Sequence, residues 1–250
     1  MQRLEHQVAI ITGASRGIGR AIAEAYADEG AKIVVNYNQN EKQAESLVNS
    51  IKGKGGDAIH VKADVSKVLE VKHLVQSTLD RFSRIDILVN NAGVLCQDGF
   101  QDVNEDVWDR TIDVNLKGAY LCAKEVAPVM LRQKRGRIIN ISSNSGLYHP
   151  SAMDNVEYVA SKAGMNGLTK ALAFRLGPFI TVNAICPGYI KTDMVAGNDA
   201  ATEQRLLEET IVKRFGNPRD VAGAAVFLAS SEADYVTGEL LIVAGGRGMH

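Results

Sequence analysis

Tyr158 and Lys162 stand four residues apart in Tyr158-Val159-Ala160-Ser161-Lys162, at the start of a helical apolar pattern that runs to about Leu176. That spacing puts both side chains on one helix face. A tyrosine titrates near pH 10, so to give up and recover a proton at neutral pH it needs a neighbour that favours the phenolate. An ammonium one turn away does so, and each unit of pKa represents about 1.4 kcal/mol. Upstream, Ser142 and Ser143 follow the apolar run Ile138-Ile139-Asn140-Ile141, where a hydroxyl could bond a substrate oxygen beside the tyrosine. Carbonyl reduction needs this combination: negative charge develops on the oxygen, one donor holds it and one proton quenches it. Taken alone, a Tyr/Lys pair is more often an exposed polar pair, so the reading depends on its surroundings.

The stretch Thr12-Gly13-Ala14-Ser15-Arg16-Gly17-Ile18-Gly19 lies between an apolar run, Val8 to Ile11, and an Ala-rich helical pattern, Arg20 to Ala27. A strand, a tight turn and a helix start are expected. Glycine admits positive φ and leaves no Cβ between backbone and ligand. The N–H groups and positive end of the following helix suit a pyrophosphate. The spacing G-x-x-x-G-x-G shares the mechanics of the G-x-G-x-x-G dinucleotide fingerprint, not its letter. Gly13, Ser15, Arg16, Gly17, Ile18 and Gly19 are therefore candidate cofactor-binding residues. A carboxylate about 20 residues further on would grip a ribose 2′-hydroxyl, but Val34-Val35-Asn36-Tyr37-Asn38 holds none. Arg16 can instead reach a 2′-phosphate. NADP(H) is expected in preference to NAD(H), with Asn36 compatible with either ribose.

Strand-like runs at Val8–Ile11, Lys32–Val35, Ala58–Val61, Ile85–Val89, Arg137–Ile141, Thr181–Ile185 and Leu240–Val243 alternate with amphipathic segments. Several are continuously apolar, as suits strands buried on both faces of a parallel sheet. The pattern predicts an α/β, Rossmann-type doubly wound fold of about seven parallel strands with helices on both faces. Gly13, Asp64, Asn90-Asn91-Ala92-Gly93, Ser142-Ser143 and Pro187-Gly188 all follow strand ends, so they gather on the carboxyl edge. No linker or repeat interrupts the pattern, and residues 1–250 are expected to form one dinucleotide-binding catalytic domain, with a substrate lid around 189–214.

A net charge of -1 with 23% charged residues gives no broad footprint for nucleic acid or an anionic membrane. No apolar run approaches the roughly 18 residues of a membrane span. Cys96, Cys122 and Cys186 are far apart and lack partners at metal-ligand spacing. They read as reduced thiols of a cytoplasmic protein without a metal site. A redox-sensing role for Cys96 or Cys186 is an alternative suggested by their strand-end positions.

Taken together and in order, Thr12-Gly13-x-x-x-Gly17-x-Gly19, Asn90-Asn91-Ala92-Gly93, Asn115, Ser143, Tyr158-x-x-x-Lys162 and Pro187-Gly188 resemble the short-chain dehydrogenases/reductases over nearly the whole chain. The resemblance implies that Tyr158 is the catalytic acid/base and that Ser143 polarises the carbonyl. It implies that Lys162 lowers the Tyr158 pKa and holds the nicotinamide ribose, and that Asn115 holds a water linking Lys162 to solvent. It makes Asp64 and Val65 adenine contacts, where spacing alone equally allows Asp64 to be a helix N-cap. It sets Asn91, Ala92, Gly93, Pro187 and Gly188 beside the cofactor and gives Ile190 and Thr192 to the nicotinamide carboxamide. The Ser143–Tyr158 interval is about two residues longer than is usual for the family, with Tyr148, His149, Pro150 and Met153 in the extra loop; Ala173–Thr181 looks one residue short, and Ala244 stands where Asp is common.

Within the family the pattern is most similar to reductases of 3-oxoacyl groups on acyl carrier protein, through Gly136-Arg137-Ile138-Ile139 and Pro187 to Met194. That implies a small carbonyl or alcohol substrate, with acyl carrier protein as a partner. Arg132, Lys134 and Arg135 form either a basic patch for that carrier or a solvated helix end. A sugar or polyol dehydrogenase, similar to glucose 1-dehydrogenases, and a catalytically silent cofactor-binding regulator are the alternatives. The resemblance also implies a homotetramer, with interfaces from helices around Val107–Met130 and Val156–Leu176 and the C-terminal strand.

Overall fold

A computed structural model describes residues 2–96, 99–147, 155–195 and 199–248. Seven parallel strands form one sheet in the order β3-β2-β1-β4-β5-β6-β7: β1 Val8–Ile11, β2 Lys32–Tyr37, β3 Ala58–Lys62, β4 Ile87–Asn90, β5 Gly136–Ile141, β6 Ile180–Pro187 and β7 Leu240–Val243. The helices are α1 Gly17–Asp28, α2 Glu41–Gly53, α3 Val68–Phe82, α4 Glu105–Ile112, α5 Gly118–Gln133, α6 Val156–Leu176, α7 Ala200–Glu209 and α8 Pro218–Ala229. This is the Rossmann-type doubly wound fold expected from the alternation of runs.

The continuous apolar strands fill two cores because successive side chains leave opposite faces of the sheet. Ala9, Ile11, Ile33, Val35, Ile87 and Val89 join Ile22, Tyr26, Leu47 and Val226 in a layer under α1, α2 and α8. Val8, Ile10, Val34 and Leu88 join Val71, Leu74, Val126 and Met130 under α3 and α5. Burial on both faces fixes register, since a one-residue slip would exchange the two sets. In that register Ile11 lies opposite Val35 and Val89, so the carboxyl ends of β1, β2 and β4 are level.

The helix expected around Val107–Met130 is not uniform. Residues Asp113–Lys117 form a π turn between α4 and α5, with Gly118 N–H donating to the carbonyl of Asp113. A π turn sets one extra residue into the helix and occurs often at functional sites. Here it carries Asn115, buried against α6. The longer loop residues Tyr148, His149, Pro150 and Met153 lie outside the described residues, as do 196–198 of the expected lid.

Candidate active site

The sheet order turns back on itself at β1, between β2 and β4, which is where a doubly wound sheet opens a crevice for ligands. A cleft of about 1270 Å³ lies there. Every catalytic or cofactor-binding candidate named above lines it except Gly19 and Asn115, which are buried behind its wall, while Cys96, Cys186, Arg132, Lys134 and Arg135 do not line it.

The glycine turn is clamped from below. Thr12 Oγ1 donates to the Val89 carbonyl and accepts from the N–H groups of Asn91 and Ala92 at 2.9 and 3.0 Å. Asn91 Nδ2 donates to the carbonyls of Thr12 and Gly13 at 2.9 and 3.1 Å. Gly13 and Gly17 have φ of 61° and 58°, in the left-handed region that favours glycine. Gly19 serves packing instead: a Cβ there would lie 2.4 Å from Asn91 Nδ2 and 2.8 Å from the Gly13 carbonyl oxygen. Arg16, the N-cap of α1, makes no side-chain cap bond and the first turn of the helix carries no acid. The N-terminal N–H groups of α1 thus suit a phosphate, and the residues present fit a dinucleotide.

Two candidate contacts are already engaged within the chain. Asn36 is 1% exposed; its Oδ1 accepts from the Gly13 N–H and its Nδ2 donates to the Ala63 carbonyl at 2.9 Å, so the side chain braces the turn. Asp64 Oδ1 accepts from the Ser66 N–H and hydroxyl at 2.9 and 2.7 Å. That is an Asx turn rather than a cap of α3, whose N-cap is Lys67. Arg16 Nη1 lies 3.3 Å from Asp193 Oδ2, across the mouth of the cleft.

At the other end of the cleft, α6 presents Tyr158 and Lys162 on one face. Lys162 is buried, donates from Nζ to the Ile141 carbonyl at 2.8 Å and sits 5.5 Å from the Tyr158 ring centroid. Burial lowers its pKa to about 8, opposed by the charge of Cys186. Tyr158 departs from expectation. Burial raises its pKa, and a hydrogen bond with the Ser143 side chain offsets this in part. The ammonium is held by a carbonyl beneath the ring, and desolvation of the phenol outweighs any pull it exerts.

Ser143 ends the β5 segment and is the serine that meets Tyr158; its Oγ also accepts from the Ser145 N–H at 3.1 Å. Two residues not singled out from the sequence hold this arrangement. Asn166, one turn beyond Lys162, accepts from Ser142 Oγ at 2.7 Å and donates to the Gly146 carbonyl at 3.0 Å. The i, i+4, i+8 series Tyr158, Lys162, Asn166 was the available signal. Ser161 Oγ accepts from Asn115 Nδ2 at 3.1 Å, while Asn115 pairs with both backbone groups of Val94 at 2.8 and 3.0 Å. Arg247, 6% exposed, reaches the cleft wall from the C-terminal turn with its Nε on Glu209 at 2.8 Å, and no spacing in the sequence pointed to it. The Cys186 thiol is pushed up to about 11, chiefly by burial, and Cys122 to about 12 by burial, which makes both poor thiolates.

No helix among the described residues is long and apolar enough to cross a membrane. A family model described as enoyl-(acyl carrier protein) reductase matches residues 13–248. The 3-oxoacyl-[acyl-carrier-protein] reductase of Synechocystis is 45% identical over all of both chains. That of Staphylococcus epidermidis is 43% identical over 96% of this chain and 98% of its own. Among solved structures, a gluconate 5-dehydrogenase of Burkholderia cenocepacia in complex with NADP and tartrate is 35% identical, with a TM-score of 0.91 over 98% of this chain and 96% of that one. A short chain dehydrogenase of the same organism in complex with NADP is 32% identical, with a TM-score of 0.93 over 99% and 100%. The chain belongs to the short-chain dehydrogenase/reductase family and is an NAD(P)-dependent oxidoreductase acting on a carbonyl or hydroxyl group.

Proposed function

We propose that this chain is an NADP(H)-dependent reductase of 3-oxoacyl thioesters, with acyl carrier protein as the carrier of its substrate. The observation that carries the reading is the meeting of Ser143, Tyr158 and a buried Lys162 at one end of a dinucleotide-sized cleft whose other end offers Arg16 and no carboxylate at the end of β2. The names of the full-length relatives point to the same substrate class.

Bound in the cleft, the nicotinamide cofactor would supply hydride for reduction or accept it for oxidation. The turn Gly13 to Gly19 and the N–H groups of α1 would hold its pyrophosphate, and Arg16 its 2′-phosphate. Asp64 and Val65 would face the adenine, with Asn91, Ala92 and Gly93 alongside, and Pro187, Gly188, Ile190 and Thr192 would flank the nicotinamide. Ser143 Oγ donates to the carbonyl oxygen of the substrate as it gains negative charge, and Tyr158 Oη delivers the proton that makes it a hydroxyl. Lys162, titrating near 8 in the cofactor-free chain, is poised to restore that proton at neutral pH. Asn115, carried on the π turn, orders the Val94 and Ser161 segments around Lys162 and would hold the water that links Lys162 to solvent.

In this reading residues 1–250 act as one catalytic domain in the cytoplasm, with 189–214 as the lid. The chains assemble as a homotetramer, in keeping with the apolar side chains of Trp108, Tyr120, Leu131 and Phe174 that α4, α5 and α6 leave exposed. A second reading, a dehydrogenase of small sugar acids or polyols, is suggested by the likeness to the gluconate 5-dehydrogenase of Burkholderia cenocepacia. The two are separated by rates with 3-oxoacyl thioesters and NADPH against gluconate and polyols with NADP⁺. Thioester turnover at least about tenfold more efficient supports the first, and turnover confined to the sugar acids replaces it with the second. Cofactor binding with no turnover of either set would make the chain a silent regulator.

A further inference from the structure

Arg16 belongs to the turn proposed to hold the cofactor, yet in this structure its guanidinium pairs with a residue from the other side of the cleft, Asp193, with Nη1 and Oδ2 3.3 Å apart. Asp193 opens the short 3-10 turn Asp193–Val195 in the segment that follows Pro187-Gly188. The neighbouring Thr192 overlies the glycine turn: a Cβ on Gly17 would lie 3.6 Å from Thr192 Cγ2. The segment after β6 therefore faces the glycine turn, with Thr192 beside Gly17, and is tied to it by one ion pair. Arg20, the next basic residue along α1, is engaged with Glu24 at 3.0 Å.

We infer that Asp193 is a specificity-determining residue: it holds Arg16 in the ion pair and gives it up to the 2′-phosphate, so that recognition of NADP(H) also releases the segment leading into the lid. This rests on the assignment of Arg16 to the 2′-phosphate. The side chains of Arg16 and Asp193 are 56% and 68% exposed, and an ion pair this open is weak and screened by salt. A phosphate dianion carries more charge than a carboxylate and can take both arms of the guanidinium where Asp193 meets one, so it wins the exchange. NAD(H) has no group to make it, and leaves the Asp193 contact in place. Because the two events share one guanidinium, the coupling is reciprocal: whatever draws the segment away from the turn favours the 2′-phosphate.

The test uses the fragments 2′,5′-ADP and 5′-AMP, whose affinities are measured by calorimetry on the full chain for the wild type, D193N, D193S and R16Q. Hydrogen exchange is followed in residues 188–194. D193N and D193S are expected to tighten 2′,5′-ADP about two- to fivefold and leave 5′-AMP unchanged. In the wild type, 2′,5′-ADP speeds exchange in the segment and 5′-AMP does not; in D193N the exchange is already fast. If R16Q loses the preference for 2′,5′-ADP while both Asp193 variants leave it unaltered or weaken it, the cofactor assignment stands and the exchange of partners is overturned. If R16Q keeps the preference, both fall.

Discussion

Burial sets the proton chemistry of Tyr158 and Lys162 more than their mutual spacing does. The sequence supplies the i, i+4 relation, but the depth of the pair follows from β5 and the segment after it, which close over Lys162 and offer the Ile141 carbonyl. Desolvation raises Tyr158 and lowers Lys162, so burial penalises the charged form of each. For Lys162 the folded chain titrates at about 8 against 10.5 for the ordinary side chain. Between those values the unfolded chain binds the proton that the folded chain has lost, so this group's contribution to stability rises with pH across the window. Below about pH 8 its full penalty is present. K162M should therefore be more stable than the wild type at pH 7, with an advantage that shrinks by about 2 to 3 kcal/mol by pH 10. Urea unfolding of the cofactor-free proteins at both values checks this, and an advantage independent of pH would count against a depressed Lys162. The placing of Ser143, Tyr158 and Lys162 together was legible because a serine just past a strand run and a Tyr/Lys pair at i, i+4 are marked by residue type and spacing. Ser161 and Arg247 were not, because their partners Asn115 and Glu209 come from segments distant in sequence; for Asn166 the i, i+4, i+8 series offered the helix face but not the partners Ser142 and Gly146.

Strand ends and helix starts position the site, and their sequence signals differ in strength. The β1 and β7 runs match their observed bounds, Val8–Ile11 and Leu240–Val243, since Gln7 and Thr12 bracket the first and Glu239 and the Gly245-Gly246 pair delimit the second. The π turn at Asp113–Lys117 has no such signature, because a helix with one extra residue keeps an ordinary apolar pattern on either side. Its role is visible only in the Asn115 contacts to Val94 and Ser161. The glycine turn shows the same limit: its motif announces a turn, but the sequence does not tell that Gly19 is needed for packing. G19A drives a methyl to 2.4 Å from Asn91 Nδ2 and should displace α1 from the turn. The expected outcome is about 1–3 kcal/mol lower stability together with at least about tenfold weaker NADPH binding, read by thermal melts and fluorescence titration. At α8, Asn217 and Asp220 form a capping box. N217A should lose about 1 kcal/mol without changing cofactor affinity.

Across the fold, the order β3-β2-β1-β4-β5-β6-β7 brings segments far apart in sequence to one edge. The alternation of runs implied that edge because parallel strands joined by helices all point the same way. The exposed side chains of Trp108, Tyr120, Leu131 and Phe174 could not be told from core residues by pattern alone. If they meet partner subunits, F174D, at the most exposed of them, should shift the wild-type tetramer to smaller species in sedimentation and leave far-UV circular dichroism intact. A wild-type monomer would remove that part of the proposal.

The proposed function requires carbonyl reduction with Tyr158 as the proton donor. The deciding measurement is NADPH oxidation with a 3-oxoacyl thioester at pH 7, comparing the wild type with Y158F, with NADPH affinity measured in parallel. The expected result is steady turnover by the wild type and a loss of about 10²- to 10⁴-fold in kcat for Y158F, with NADPH binding within a few-fold of the wild type. Turnover by Y158F at a wild-type rate would contradict the account.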